Sequence, residues 1–201
     1  MNQRKKLFIL LLVFALLIGS ASVLYSRLGE RMAPDRLAVQ EPAKQNEPGT
    51  ASDDPAGEAT EPQGVMAPDF TVYDLKGNEV KLSDYQGKPI VLNFWASWCG
   101  PCQMEMPDFN EKHLEQGETV TFLMVNMTDG ARETVEGASR FVSEKGYSFP
   151  VFFDTGMDAA AAYGVNSLPT TYFIDADGYA IAQAMGTIDG EALQRGIDLI
   201  T

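Results

Sequence analysis

The chain has 201 residues and a formal charge of -13, from 28 acidic and 15 basic side chains. That length holds one domain with accessories rather than two full cores. The acid excess excludes a nucleic-acid surface, which neutralises phosphates with clustered Lys and Arg, and serves solubility instead.

At the N-terminus Arg4, Lys5 and Lys6 precede Leu7 to Leu24, a run of 18 residues without a charge. As a helix it would span about 27 Å, close to a bilayer core. The basic flank stays in the cytoplasm, so the rest of the chain would face outward. Residues 1–26 therefore read as a single-pass membrane anchor. A cleaved signal peptide is the rival, because Gly19-Ser20-Ala21 offers small residues behind an apolar core. The absence of cysteine here excludes a lipoprotein anchor.

Residues 27–64 differ in composition. Six of the eleven prolines fall between Pro34 and Pro68, and no aromatic residue occurs from Arg27 to Asp69. Such a stretch cannot bury enough apolar surface to fold, and it reads as a disordered tether with a root-mean-square span of roughly 35 Å.

Residues 65–201 carry the folded domain. Asp69 to Val72 and Glu79 to Leu82 flank Lys76-Gly77-Asn78 and predict a β-hairpin. The β-branched and aromatic run Pro89 to Trp95 predicts a buried strand. From Pro101 the apolar residues Met104, Met106, Phe109 and Leu114 recur at helical spacing. Between strand and helix lies Trp98-Cys99-Gly100-Pro101-Cys102, which contains both cysteines of the chain. A helix N-terminus favours an anion, so a thiol held there ionises more easily. Cys99, nearer the turn, reads as the nucleophile. Cys102, one turn inside, can attack a mixed disulfide formed on Cys99. Pro101 suits a first helical turn, where its missing N–H has no partner to lose. Two other readings exist. A stabilising staple gains only about 2 kcal/mol from so short a loop. Half a zinc site needs two more ligands, and the sole histidine, His113, lies on the same helix as a surface residue.

Further along, Thr119 to Asn126 predicts a second buried strand beside the first, through a β-α-β unit. Thr134 to Lys145 predicts a helix, Phe149 to Phe153 a short strand, and Met157 to Tyr163 a short helix ended by Gly164. Thr170 to Asp175 and Tyr179 to Ala184 form a hairpin around Ala176-Asp177-Gly178, and Asp189 caps a last helix reaching Ile200.

The string WCGPC resembles the thioredoxin superfamily motif, and FWASWCGPCQMEMP, with Glu105 after the second cysteine, is similar to the membrane-anchored TlpA/ResA-type thiol-disulfide oxidoreductases. The head PDFTVYDLKGNEVKLSDYQGK resembles the hairpin that redoxins and AhpC/TSA-like domains place before a thioredoxin core. The resemblance implies an α/β thioredoxin fold, a mixed sheet flanked by helices, with that N-terminal hairpin and a central α-β insertion. It implies a cis bond between Leu168 and Pro169, facing the cysteines and leaving backbone free for an extended substrate. It makes Trp98, Gly100, Pro101, Leu168 and Pro169 the substrate-contacting set, and Cys99, Cys102 and Glu105 the catalytic one. Asn93 stands where thioredoxin carries a buried aspartate. It reads as a hydrogen-bonded polar group in the strand, with Glu105 as the substitute acid; the competing reading of Glu105 is a solvated helix residue. Trp98 would shield the nucleophile, whereas Trp95 belongs to the core.

The implied function is an extracytoplasmic reductase of protein disulfides at a bacterial cell membrane, acting on apocytochrome c heme-attachment cysteines and recharged by a membrane thiol reductase, without cofactor or metal. A thiol peroxidase is the first alternative, but the PxxxTxxC pattern of peroxiredoxins meets Leu92 and Ala96 at its Pro and Thr positions. A copper carrier of thioredoxin fold is the second, and it would need a histidine after His113.

Overall fold

The computed structural model describes the backbone of residues 37–39 and all of residues 64–201. The predicted anchor and most of the predicted tether lie outside the described residues. Among those described, no helix is long and apolar enough to cross a membrane.

In chain order the strands are β1 (Leu37–Val39), β2 (Val65–Met66), β3 (Thr71–Tyr73), β4 (Glu79–Lys81), β5 (Ile90–Trp95), β6 (Thr121–Asn126), β7 (Val151–Phe153), β8 (Thr170–Ile174) and β9 (Tyr179–Met185). The helices are α1 (Gly100–Gln116), α2 (Val135–Lys145), α3 (Asp158–Ala162) and α4 (Gly190–Asp198), with a 3-10 turn at Leu82–Tyr85. The strands form one sheet in the order β1-β9-β8-β5-β6-β7-β3-β4, with β2 also on β9. β5 and β6 are parallel around α1, β6 and β7 are parallel around α2, and β8 and β9 close the sheet antiparallel. This is the mixed sheet that the thioredoxin resemblance implies.

Both faces of the sheet are covered, so β5 is apolar on both sides apart from Asn93. Val91 and Trp95 share one core with Cys102, Met106 and Phe109 of α1 and Leu193 and Ile197 of α4. Ile90, Leu92 and Phe94 point the other way, into a core with Phe70, Leu82 and Tyr163. Alternation therefore sends Asn93 toward the face that α1 covers.

Several boundaries move. The strand predicted from Thr119 begins at Thr121, because the Thr119 and Val120 N–H groups turn back to the Gln116 carbonyl at the end of α1. The strand predicted from Phe149 begins at Val151, although Phe149 is buried. Two short strands are additions. Leu37 of β1, inside the predicted tether, lies opposite Ala184, and Val65 of β2 lies opposite Ala180, so both pair with β9. On α1, Met104 and Leu114 are 66% and 69% exposed, contrary to the predicted apolar face. The stripe that is buried runs Cys102, Glu105, Met106 and Phe109, at spacings of 3, 4 and 7 from the cysteine. His113 is half-buried rather than fully at the surface, its ring edge-on to Phe122 at 5.6 Å, and burial lowers its pKa.

Candidate active site

β5 ends at Trp95, and the chain crosses Ala96-Ser97-Trp98 before α1 begins. Cys99 is the N-cap of α1, with extended backbone at φ -80 and ψ 105. Its sulfur accepts the Cys102 N–H at 3.3 Å, the bond that an N-cap Ser or Asp oxygen makes to the third helical residue. Cys99 N–H donates to the Ala96 carbonyl at 3.1 Å, and the Cys99 carbonyl accepts Gln103 N–H at 3.1 Å. Gly100 and Pro101 open the helix, and a β-carbon added at Gly100 would meet nothing within 4 Å, so this turn is bare toward solvent.

Cys99 and Cys102 form a disulfide, with Cα atoms 5.3 Å apart. Cys102 is fully buried and Cys99 nearly so. Trp98 is 42% exposed beside them, and the Arg132 guanidinium lies over its ring, 3.5 Å from the centroid. Trp95 is in the core, as its strand position predicts.

One turn beyond Cys102, Glu105 is 1% exposed. One of its oxygens accepts the Asn93 Nδ2 at 2.8 Å and the other accepts the Ile188 N–H at 3.1 Å. Asn93 Nδ2 also donates to Thr171 Oγ1 at 3.0 Å, joining β5, β8 and α1. Desolvation is the largest influence on Glu105 and pushes its pKa up to about 8 from an ordinary 4.5, against the lowering effect of the Ile188 and Asn93 bonds. The solvated-helix reading of Glu105 is thereby overturned. Asn93 is hydrogen-bonded within the sheet to Thr171, and its Nδ2 also binds the Glu105 carboxyl itself.

The Leu168–Pro169 bond is cis, as the resemblance implies. Thr170 pairs with Phe94, which brings Pro169 level with the end of β5 where the cysteine turn departs. Leu168 packs against both cores. The three residues after β9 fasten this end of the molecule. Gly186 N–H donates to the Pro169 carbonyl at 2.8 Å, Thr187 Oγ1 to the Pro101 carbonyl at 3.1 Å, and Ile188 N–H to Glu105. Gly186 has φ 84, a left-handed conformation that glycine adopts without strain.

Sequence reasoning missed the Gly186 to Ile188 clasp, Thr171, and the carboxylate of Glu133, which binds Ser97. Glu105, a catalytic candidate by resemblance, also falls on the buried stripe by a helical count from Cys102. No local pattern marks Glu133. Among the described residues no group of three or more His, Cys, Asp or Glu side chains is gathered to hold a metal ion.

The arrangement suits reversible thiol-disulfide chemistry. An outer sulfur sits at a helix N-terminus, an inner sulfur is buried, and a carboxyl that titrates near a thiol's ordinary range of about 8.5 lies one turn away.

Residues 63–182 match the AhpC/TSA family. The thiol-disulfide oxidoreductase ResA of Bacillus thuringiensis is 40% identical over 141 residues, covering 69% of this chain and 78% of that protein. Among solved structures, a DsbF homologue from Corynebacterium diphtheriae superposes with a TM-score of 0.61 at 28% identity, covering 75% of this chain and 99% of that one. The exposed lipoprotein thioredoxin Etrx1 of Streptococcus pneumoniae superposes with a TM-score of 0.56 at 35% identity, covering 66% of this chain and all of that one.

Proposed function

The chain belongs to the AhpC/TSA family as a ResA-like thiol-disulfide oxidoreductase, and we propose that it reduces disulfides of protein substrates, with Cys99 attacking and Cys102 resolving. The observation that supports this most is the Cys99–Cys102 disulfide on the α1 N-terminus, with the Glu105 carboxyl buried one turn behind it.

In the reduced protein the Cys99 thiolate, facing the α1 amides, attacks one sulfur of a substrate disulfide. That S–S bond breaks, the other substrate sulfur leaves as a thiolate and takes a proton from water, and a mixed disulfide joins substrate to Cys99. Cys102 gives its proton to Glu105 in the fraction of molecules in which that carboxyl is ionised, a fraction that grows as pH approaches about 8, and attacks the Cys99 sulfur. The intermolecular bond breaks, the second substrate sulfur leaves as a thiolate and takes a proton from water, and the Cys99–Cys102 disulfide remains. Two electrons have passed to the substrate. A carboxyl with a pKa near 8 is matched to a thiol and can take that proton without a large uphill step. Trp98, Gly100, Pro101, Leu168 and Pro169 form the surface on which an extended substrate lies.

The finer reading is that the substrates are the CxxCH heme-attachment cysteines of apocytochromes c, that a membrane thiol reductase restores the dithiol, and that residues 7–24 anchor the domain on the extracytoplasmic side of a bacterial membrane. The ResA name of the relative and the basic flank before Leu7 support it, and one structural relative is named an exposed lipoprotein.

Cys102→Ser tests this. Serine keeps the shape but is a far poorer nucleophile, so mixed disulfides on Cys99 accumulate. Cells carrying the variant should yield extracytoplasmic proteins released by dithiothreitol, apocytochromes with CxxCH among them, and Cys99→Ser should trap none. Recovery of many unrelated secreted proteins would replace the heme-maturation role with general disulfide handling. Recovery of nothing from either variant would sink the assignment of roles to the two cysteines.

A further inference from the structure

The loop that delivers Cys99 to α1 is held by a carboxylate far away in sequence. Glu133, 1% exposed, accepts the Ser97 N–H at 2.8 Å on one oxygen and the Ser97 hydroxyl at 2.8 Å on the other. Its first oxygen also accepts Asn126 Nδ2 at 2.7 Å, at the end of β6. A buried carboxylate costs several kcal/mol unless donors meet it, and here three do.

Glu133 is itself held in place. It lies in the turn between β6 and α2, where Asp129 Oδ1 accepts the N–H groups of Ala131, Arg132 and Glu133 at 2.8 to 2.9 Å. Gly130, at φ 73, donates its N–H to the Glu133 carbonyl at 2.9 Å and closes the turn. The same turn sends Arg132 outward over the Trp98 ring. Two consecutive residues before Cys99 are thus gripped by two consecutive residues of one turn, Ser97 by Glu133 and Trp98 by Arg132.

We propose that Glu133 is a positioning residue for Cys99: by holding Ser97 it fixes the direction in which the chain enters α1, and so keeps the Cys99 sulfur aligned with the Cys102 N–H. The proposal rests on the reading of Cys99 as the attacking thiol. Its effect is geometric, transmitted through two residues of backbone. Glutamine can reproduce it, because one oxygen suffices for the Ser97 and Asn126 N–H groups and the new amide can donate to a Ser97 hydroxyl turned to accept.

The test is the rate at which the reduced protein is alkylated at Cys99 by iodoacetamide at pH 7, and the rate at which it opens a peptide disulfide. Glu133→Ala is expected to slow both by roughly tenfold, since misplacing a reacting group by about 1 Å costs up to about a hundredfold. Glu133→Gln is expected to stay within about twofold of wild type, which the loss of a structural charge alone would not produce. Ala at the wild-type rate, Gln as slow as Ala, or both variants faster than wild type would each overturn the proposal. Should Glu133→Ala fail to fold by circular dichroism, Ser97→Ala decides. It removes one hydrogen bond and should slow alkylation by roughly threefold, and an unchanged rate would overturn the proposal. A wild-type protein inert toward peptide disulfides would instead refute the attacking role of Cys99, while the alkylation comparison still judges Glu133.

Discussion

Glu105 carries the clearest pH dependence in the molecule. Its carboxyl binds a proton more tightly folded, with a pKa of about 8, than unfolded, at 4.5. Between those values the native state keeps a proton that the unfolded state has lost, so stability falls as pH rises from about 4.5 to about 8 and then levels. The loss is on the order of a few kcal/mol. Asp154, also raised by burial, acts with the same sign, so the informative quantity is the difference between wild type and Glu105→Gln. We predict that the stability advantage of Glu105→Gln over wild type, from urea midpoints, grows steadily across that window. A difference independent of pH would mean that Glu105 titrates as an ordinary surface carboxyl. Asn93 bears on this site through Nδ2 alone; its Oδ1 is buried without a partner, so a turned amide could accept from a protonated Glu105 or from the glutamine.

At the scale of elements, the site depends on how closely α4 lies on the sheet. Leu193 and Ile197 are buried in the core that holds Cys102, and Gly196 faces the Phe173 ring of β8 so closely that an added β-carbon would overlap it. Gly196→Ala sets two effects against each other. Alanine favours a helix by about 1 kcal/mol over glycine, while overpacking a fixed core costs about 1–3 kcal/mol. Phe173 is fully buried and the added β-carbon would overlap its ring, so the second effect is expected to win. We expect a net loss of about 1–2 kcal/mol, read as a lower urea midpoint at unchanged slope. A variant at least as stable as wild type would show that α4 can lift from β8. The Ile188 contact to Glu105, just before α4, makes the same displacement visible in the Glu105 titration.

At the scale of the whole molecule, two expectations concern what the domain does where it is placed. With Gly-Pro between the cysteines, the potential should lie nearer that of thioredoxin, about -270 mV, than that of DsbA, about -120 mV. A value above roughly -180 mV, measured against glutathione, would exclude the reductase direction. The full chain should sediment with membranes, and a chain lacking residues 1–26 should not; a soluble full chain shortened near Ala21 would favour the signal-peptide reading. The order of strands and helices from Asp69 onward, the cysteine turn between β5 and α1, and the Asp189 cap follow from the sequence by itself, because periodicity, capping and turn chemistry act between residues a few positions apart. The stripe Cys102, Glu105, Met106 and Phe109 was equally local, yet choosing it over one through Met104 and Leu114 depended on which face the sheet would cover. Only the tertiary structure decided the company these residues keep. Ile188 reaches Glu105 across 83 positions, Thr171 reaches Asn93 across 78, and Glu133 reaches Ser97 across 36. Strand pairing and helix packing bring such partners together, and a hydrophobic pattern records which face of an element is buried without recording which distant loop closes over it.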